Sequence, residues 1–439
     1  MEKNNGNQSE LTVSQQSAYG KILKFLGSKE RFFRLSGYAG TGKSFLVTKI
    51  IKWLDHKEFT FALASPTNKA AKNLQLICQK EGLSVDVTTL AKLLKLQPIL
   101  DVETGNYNFS STSLTVDSLN DFDVVIIDEF SMLSKENFQE ILNEIKKSLT
   151  KVIFVGDEAQ LPPVNEEKPI VSISNQIKSA AVLKEIIRYD GQIARVAEEI
   201  RSISEFNQKL YPFKTTSDRT IIKLSPELWL EKAFKMFNSN LWQENPDFGR
   251  IIAWRNKTVN NYNQIIRQSI YGANTKEFVV GEILIAKKPV FRGKKNNKKI
   301  ILNTSEECRI NTMPKIDHSS KYNWDFYNLS VEADSGYSIV LRVLTQQSEI
   351  ERQRKLMELA EQAKETTDYN QRKRKWAMFY ELDALFDNIT YAYALTCHKA
   401  QGSSLDYVFL AVNDMQYCSD LQKILYTGLT RTKKNCFVC

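Results

Sequence analysis

Residues 37–44 read Gly-Tyr-Ala-Gly-Thr-Gly-Lys-Ser, and no other stretch constrains the fold as tightly. The octapeptide follows the apolar run Phe32-Phe33-Arg34-Leu35. It precedes Phe45 to Leu54, whose apolar residues recur near helical spacing. A strand that enters a helix through a glycine-rich turn points the helix N-terminus at whatever the turn holds. The pattern G-x-x-x-x-G-K-S is that of a loop cradling the phosphates of a nucleoside triphosphate such as ATP. Gly37, Gly40 and Gly42 let backbone N–H groups wrap the β-phosphate without Cβ clashes. Lys43 can reach the β- and γ-phosphates, and the Ser44 hydroxyl can ligate Mg2+. The bland alternative, a turn with an incidental lysine, is disfavoured by the strand and helix on either side.

Further short apolar strands end in polar motifs. Phe59 to Ala64 runs into Ser65-Pro66-Thr67-Asn68-Lys69. Val124 to Ile127 runs into Asp128-Glu129-Phe130-Ser131, and Lys151 to Val155 into Gly156-Asp157-Glu158-Ala159-Gln160. Continuously apolar strands describe a parallel sheet covered on both faces. Ligands bind at the carboxyl ends of such strands, so all four motifs are expected at one edge. The pattern recurs in Arg250 to Ala253, leading to Trp254-Arg255-Asn256-Lys257, and in Ala392 to Leu395, leading to Thr396-Cys397-His398-Lys399. Tyr407 to Leu410 and Cys436 to Val438 read as further strands of this second α/β domain, which has no phosphate loop of its own.

Two segments fit neither sheet. Gln97 to Val116 carries Thr104-Gly105-Asn106 between short alternating stretches and reads as a β-hairpin or as an exposed connector. Glu282 to Asn388 is a long insertion with a basic run, Arg292 to Lys299, and a charged helix-like tract, Ser348 to Lys375.

The chain has 439 residues, 42% of them hydrophobic and 25% charged, enough for about three domains of ordinary globular composition. Lys and Arg outnumber Asp and Glu by 60 to 51, a net charge of +9. That balance suits an anionic partner such as nucleic acid, or simply a basic solvated surface. The six cysteines are scattered, as in a protein of a reducing compartment, and neither they nor the three histidines cluster as a zinc site would. No apolar run is long enough for a signal peptide or membrane span, so a soluble, cytoplasmic, intracellular protein of the phage or bacterial type is expected. Residues 1–10 are polar and are expected to be disordered.

The adjacent carboxylates at 128 and 129 end an apolar strand. Asp128 is placed to hold Mg2+ beside Ser44, directly or through water. Glu129 is placed to orient and deprotonate the attacking water. Helix capping is the structural alternative for the pair. Gln160, after the next strand, can bond both the γ-phosphate and the water. Charge on the γ-phosphate grows in the transition state and calls for added cations, but residue chemistry alone selects no particular arginine.

The ordered set Leu11-Thr12-Val13-Ser14-Gln15, GYAGTGKS, ASPTNKAAK, IIDEFSM, VGDEAQLPPV, LKEIIR, AWRNKTVN, YALTCHKAQGSSLD and LYTGLTRTKK resembles that of the superfamily 1 DNA helicases of the RecD-like, 5′-to-3′ class. The likeness covers nearly the whole chain and is weakest in the insertion. It implies an α/β fold of two RecA-like parallel-sheet domains, with a β-hairpin pin inserted in the first and a small β-barrel plus helical insertion in the second. The implied bounds are 11–200 for the first domain, with the pin at about 97–116. The second takes 201–281 and 389–439, and the insertion 282–388.

By the same resemblance, Gln15 recognises adenine, and Arg188 and Arg431 are arginine fingers at a cleft between the two domains. Pro66, Thr67, Asn68 and Lys69 hold single-stranded DNA, with phosphate contacts from Thr88 and Thr89. Asn256, Lys257, Thr396, His398 and Lys399 form the second domain's grip. Trp254 either stacks on a base or belongs to the core. Phe109 is the wedge at the duplex junction if the hairpin is the pin. The resemblance points to ATP and Mg2+, to single-stranded DNA and duplex junctions, and to single-strand-binding or replication proteins as candidate partners. It implies a monomer and no membrane. Three rivals stand beside it: a translocase that separates duplex poorly, a nucleic-acid-binding protein with a vestigial nucleotide site, and a helicase–nuclease subunit. DNA against RNA stays open, because phosphate contacts are tolerant.

Overall fold

The structure is a computed structural model that describes residues 10–100, 107–110, 118–146, 148–187, 191–203, 211–293, 299–334 and 336–439. Side chains of 97–100, 107–110 and 299 are outside the description. The chain separates into two compact units. The first takes Met1–Gln97, Ser110–Lys223 and Ala400–Cys439, and the second Pro98–Phe109 and Leu224–Lys399.

Eight strands precede residue 190: β1 (Phe32–Gly37), β2 (Phe61–Ser65), β3 (Val87–Thr89), β4 (Gln97–Leu100), β5 (Tyr107–Ser110), β6 (Val124–Ile127), β7 (Lys151–Gly156) and β8 (Ser179–Leu183). Six form one sheet in the order β3-β2-β6-β7-β1-β8, with every neighbouring pair parallel. Alternate residues of each strand feed opposite faces. Phe33, Leu35, Val124 and Ile126 pack with helices Val13–Leu26, Lys43–His56 and Asn68–Lys80. Phe32, Val125, Ile127 and Phe154 pack with Phe138 and Ile141 of helix Lys135–Ile145. Burial on both faces is why the central strands read as unbroken apolar runs. Each large aliphatic side chain so buried contributes about 1.5–3 kcal/mol. The remaining strands of this unit are also parallel: Leu405–Leu410 pairs Thr432–Val438, which pairs Ile221–Lys223.

In the second unit, Gly249–Ala253 pairs in parallel with Ala394–Thr396. The insertion is an antiparallel sheet whose longest strand, Trp324–Ala333, pairs along its length with Ser338–Leu344. Its core gathers Leu284, Val331 and Leu341. The charged tract folds as two helices, Gln346–Glu365 and Tyr369–Asp383. Asp368 caps the second by accepting from Gln371 N at 2.8 Å. Buried arginines in this unit are all paired: Arg250 with Glu307 at 2.7 Å, Arg267 with Glu282 at 2.7 Å and Arg352 with Asp383 at 3.0 Å. This is the condition under which a charge tolerates burial. β4 and β5 pair with each other, while the turn Thr104-Gly105-Asn106 falls outside the described residues. The architecture is two RecA-like parallel-sheet domains with hairpin and antiparallel insertions. Among the described residues no helix is long and apolar enough to cross a membrane.

Candidate nucleotide and nucleic-acid site

The phosphate loop leaves the end of β1, and Lys43 opens the following helix. Gly40 (φ 82°) and Gly42 (φ 76°) take left-handed backbone conformations that favour glycine. A Cβ on Gly42 would lie 2.4 Å from Gln15 Nε2, and one on Gly37 2.7 Å from Thr41 Oγ1. The helix has no side-chain cap at Gly42, so its first-turn amides are available to an anion. Lys43 Nζ donates to Gly37 O at 2.6 Å and Tyr38 O at 3.0 Å, folded back over its own loop. The Arg201 guanidinium lies 3.2 Å from the Tyr38 ring centroid.

Gln15 is buried and already engaged. Its Oε1 accepts from Thr12 N at 3.0 Å in a capping box, and its Nε2 donates to Thr41 O at 3.2 Å. The amide therefore ties the first helix to the phosphate loop.

Asp128 N continues the ladder to Ala64 O at 2.9 Å, and Asp128 Oδ1 accepts from Glu129 N at 2.9 Å. Burial and the neighbouring Glu129 charge push the Asp128 carboxyl up to about 7, against the pull of the Glu129 amide and Lys43. Glu129 itself is left-handed at φ 56°. Glu129 Oε2 and Gln160 Oε1 are buried without a hydrogen-bond partner among the described residues. Buried polar oxygens are normally satisfied; here a phosphate or water would satisfy them. Hard oxygen donors at Ser44 and Asp128 suit Mg2+ bound largely by phosphates. Asp128, raised by burial beside a second carboxylate, is a group that a dication would return to its ionised form.

The loop from Asp157 to Leu161 carries Gln160. Asp157 Oδ1 accepts from Ala159 N at 3.0 Å, and its Oδ2 from the Tyr426 hydroxyl at 2.7 Å. Arg431 is buried, and its guanidinium serves Thr427 O at 3.1 Å, Thr430 Oγ1 at 3.2 Å and Ser403 O at 3.4 Å. Arg188 lies outside the described residues. Asp157, Gln401, Tyr426 and Thr427 stand inside the motifs quoted from the sequence, yet no role follows from their chemistry there. Only the contacts they make in space single them out.

Beside β2 the polar residues also do local work. Thr67 caps helix Asn68–Lys80 by accepting from Ala70 N at 3.3 Å, and Thr89 caps Leu90–Leu93 through Lys92 N at 3.3 Å. Ser65 and Thr89 are register partners, which sets Pro66, Thr67, Asn68 and Lys69 beside Thr88 and Thr89 at one sheet edge. Asn73 donates to Gly402 O. In the second unit, Ala253 and Thr396 are register partners. They bring Trp254, Asn256 and Lys257 beside His398 and Lys399 at strand ends. Asn256 and Lys257 are exposed and Trp254 is half-buried. Burial holds His398 below its ordinary value, and burial with Lys287 nearby does the same for Lys399. Phe109 lies on β5, but its side chain falls outside the description.

Two family models match the chain. One, described as an AAA domain, covers residues 10–211, and the other, described as a UvrD-like helicase C-terminal domain, covers 391–439. The chain is 28% identical to the ATP-dependent DNA helicase dda of Enterobacteria phage T4, over 98% of this chain and 99% of that one. An uncharacterized protein of Acanthamoeba polyphaga mimivirus is 27% identical over 97% of this chain and 98% of its own. The RecBCD enzyme subunit RecD of Buchnera aphidicola is 25% identical over 94% of this chain and 71% of that protein. Among solved structures, Bacteroides Pif1 bound to ssDNA matches with a TM-score of 0.53 at 16% identity, over 98% of this chain and 92% of that one. At that identity the likeness speaks to the fold.

Proposed function

We propose that this chain, which resembles the superfamily 1 DNA helicases of the RecD-like class over nearly its whole length, is a DNA-stimulated ATPase. It moves 5′ to 3′ along single-stranded DNA and separates duplex as it goes. The observation that carries the reading is the pair of unpartnered buried oxygens, Glu129 Oε2 and Gln160 Oε1, in the unit that holds a phosphate loop with its lysine. Such an arrangement suits hydrolysis of a phosphoanhydride better than mere nucleotide storage.

Lys43 exchanges the loop carbonyls for the β- and γ-phosphates. Glu129 takes the proton of the attacking water, and Gln160 orients that water. Ser44 and Asp128 hold Mg2+, which when bound neutralises charge on the phosphate oxygens. Arg188 and Arg431 add positive charge to the developing transition state. Gln15, whose amide braces the phosphate loop, also contributes to adenine recognition.

Two sets of strand-end residues hold the DNA, one in each unit. Pro66, Thr67, Asn68, Lys69, Thr88 and Thr89 form one. Trp254, Asn256, Lys257, Thr396, His398 and Lys399 form the other. Short polar side chains and backbone amides suit phosphates without reading bases. Alternating tightness of the two grips converts hydrolysis into steps. The β4–β5 hairpin is the strand-separating pin, with Phe109 at the junction. One chain supplies every part, so a monomer suffices.

ATP hydrolysis with and without a single-stranded oligonucleotide tests this reading. Stimulation of about tenfold or more is expected, with Lys43→Ala reduced to about 1% of the wild type. Hydrolysis indifferent to DNA, or undiminished in the variant, would contradict it.

A further inference from the structure

One turn of helix Leu421–Leu429 holds the Gln160 loop at both ends. The Tyr426 hydroxyl donates to Asp157 Oδ2 at 2.7 Å and accepts from the Ala39 amide of the phosphate loop at 3.1 Å. The next residue, Thr427, accepts from Leu161 N through Oγ1 at 3.0 Å, and Gln401 Nε2 donates to Leu161 O at 2.8 Å. Leu161, the residue after Gln160, is thus bonded through both its N–H and its C=O. The residue that opens the loop is tied to the phosphate loop through a single phenol oxygen. Asp157 and Thr427 are fully buried, and Tyr426 and Gln401 nearly so. Burial and the Asp157 charge hold the phenol well above its ordinary pKa, so it stays protonated and can donate.

Gln160 Oε1 has no hydrogen-bond partner among the described residues. Its Oε1 is therefore left to meet a ligand, and the bonds at Asp157 and Leu161 hold the loop that carries it. We propose that Tyr426 and Thr427 are positioning residues for hydrolysis, registering Gln160 on the phosphate loop. The assignment rests on the hydrolytic reading above. Tyr426 matters to turnover through Gln160 and far less to nucleotide binding, because the loop's glycines and Lys43 are left intact.

A double-mutant cycle tests this. Tyr426→Phe keeps the ring and removes one oxygen. Its kcat for DNA-stimulated hydrolysis should fall by about tenfold, with the KM for ATP within about threefold. In a Gln160→Ala background the same change should alter kcat by less than about twofold. Thr427→Val should reproduce the loss and Thr427→Ser should not, which carries the test if Tyr426→Phe fails to fold. A Tyr426→Phe rate within about twofold of the wild type, or an equal fall in both backgrounds, overturns the assignment. A wild type without DNA-stimulated turnover removes the functional reading and this assignment together. Wild-type turnover with an unaffected Tyr426→Phe removes this assignment alone.

Discussion

Glu129 holds a left-handed backbone at φ 56°, which costs a non-glycine residue about 1–3 kcal/mol. The surroundings enforce it. Asp128 Oδ1 takes the Glu129 amide, and Phe130 is locked into the core beside Gly156. A Cβ on Gly156 would fall 2.7 Å from Phe130 Cδ1 and 2.9 Å from the Phe130 backbone nitrogen. Gly156→Ala must therefore push the residue next to Glu129. Stability should drop by about 1–3 kcal/mol, read as a lower melting temperature, with a loss of ATP turnover measured well below that temperature. Unchanged stability and turnover would mean the carboxylate is not held this way. At this scale the sequence is most legible where chemistry is local. Lys43, Asp128 and Gln160 announce themselves by residue type at strand ends. Tyr426, Thr427 and Gln401 do not, because their roles exist only through partners more than two hundred residues away.

The elements show the same divide. Strands buried on both faces, such as β6 and β7, read directly from apolar runs. The edge strands β3 and β8 do not, since β3 is half-buried along its length and β8 mixes small and exposed residues. The charged tract at 348–375 reads as helix-like, and its composition hardly changes across the break between the two helices. The break comes from the Asp368 cap. For the β4–β5 hairpin, Phe109→Ala should reduce duplex unwinding by about tenfold while sparing single-strand-stimulated hydrolysis. A wedge residue acts on the junction and not on the phosphates. Equal losses in both assays, or in neither, would take the pin role from this residue.

Over the whole molecule, the net charge of +9 suits a polyanionic partner, and each unit carries its own set of polar strand ends, at Ser65–Thr89 in one and Ala253–Thr396 in the other. The parallel architecture was legible because both sheets repeat one pattern, an apolar strand ending in a polar motif. The direction of travel is not encoded in any single residue and follows from the family resemblance. The most direct measurement is ATP-dependent unwinding of one duplex carrying either a 5′ or a 3′ single-stranded tail. Strand separation confined to the 5′-tailed substrate is the expected result. Separation of the 3′-tailed substrate alone would contradict the assigned polarity, and separation of neither, with hydrolysis still stimulated by single strands, would contradict the helicase itself.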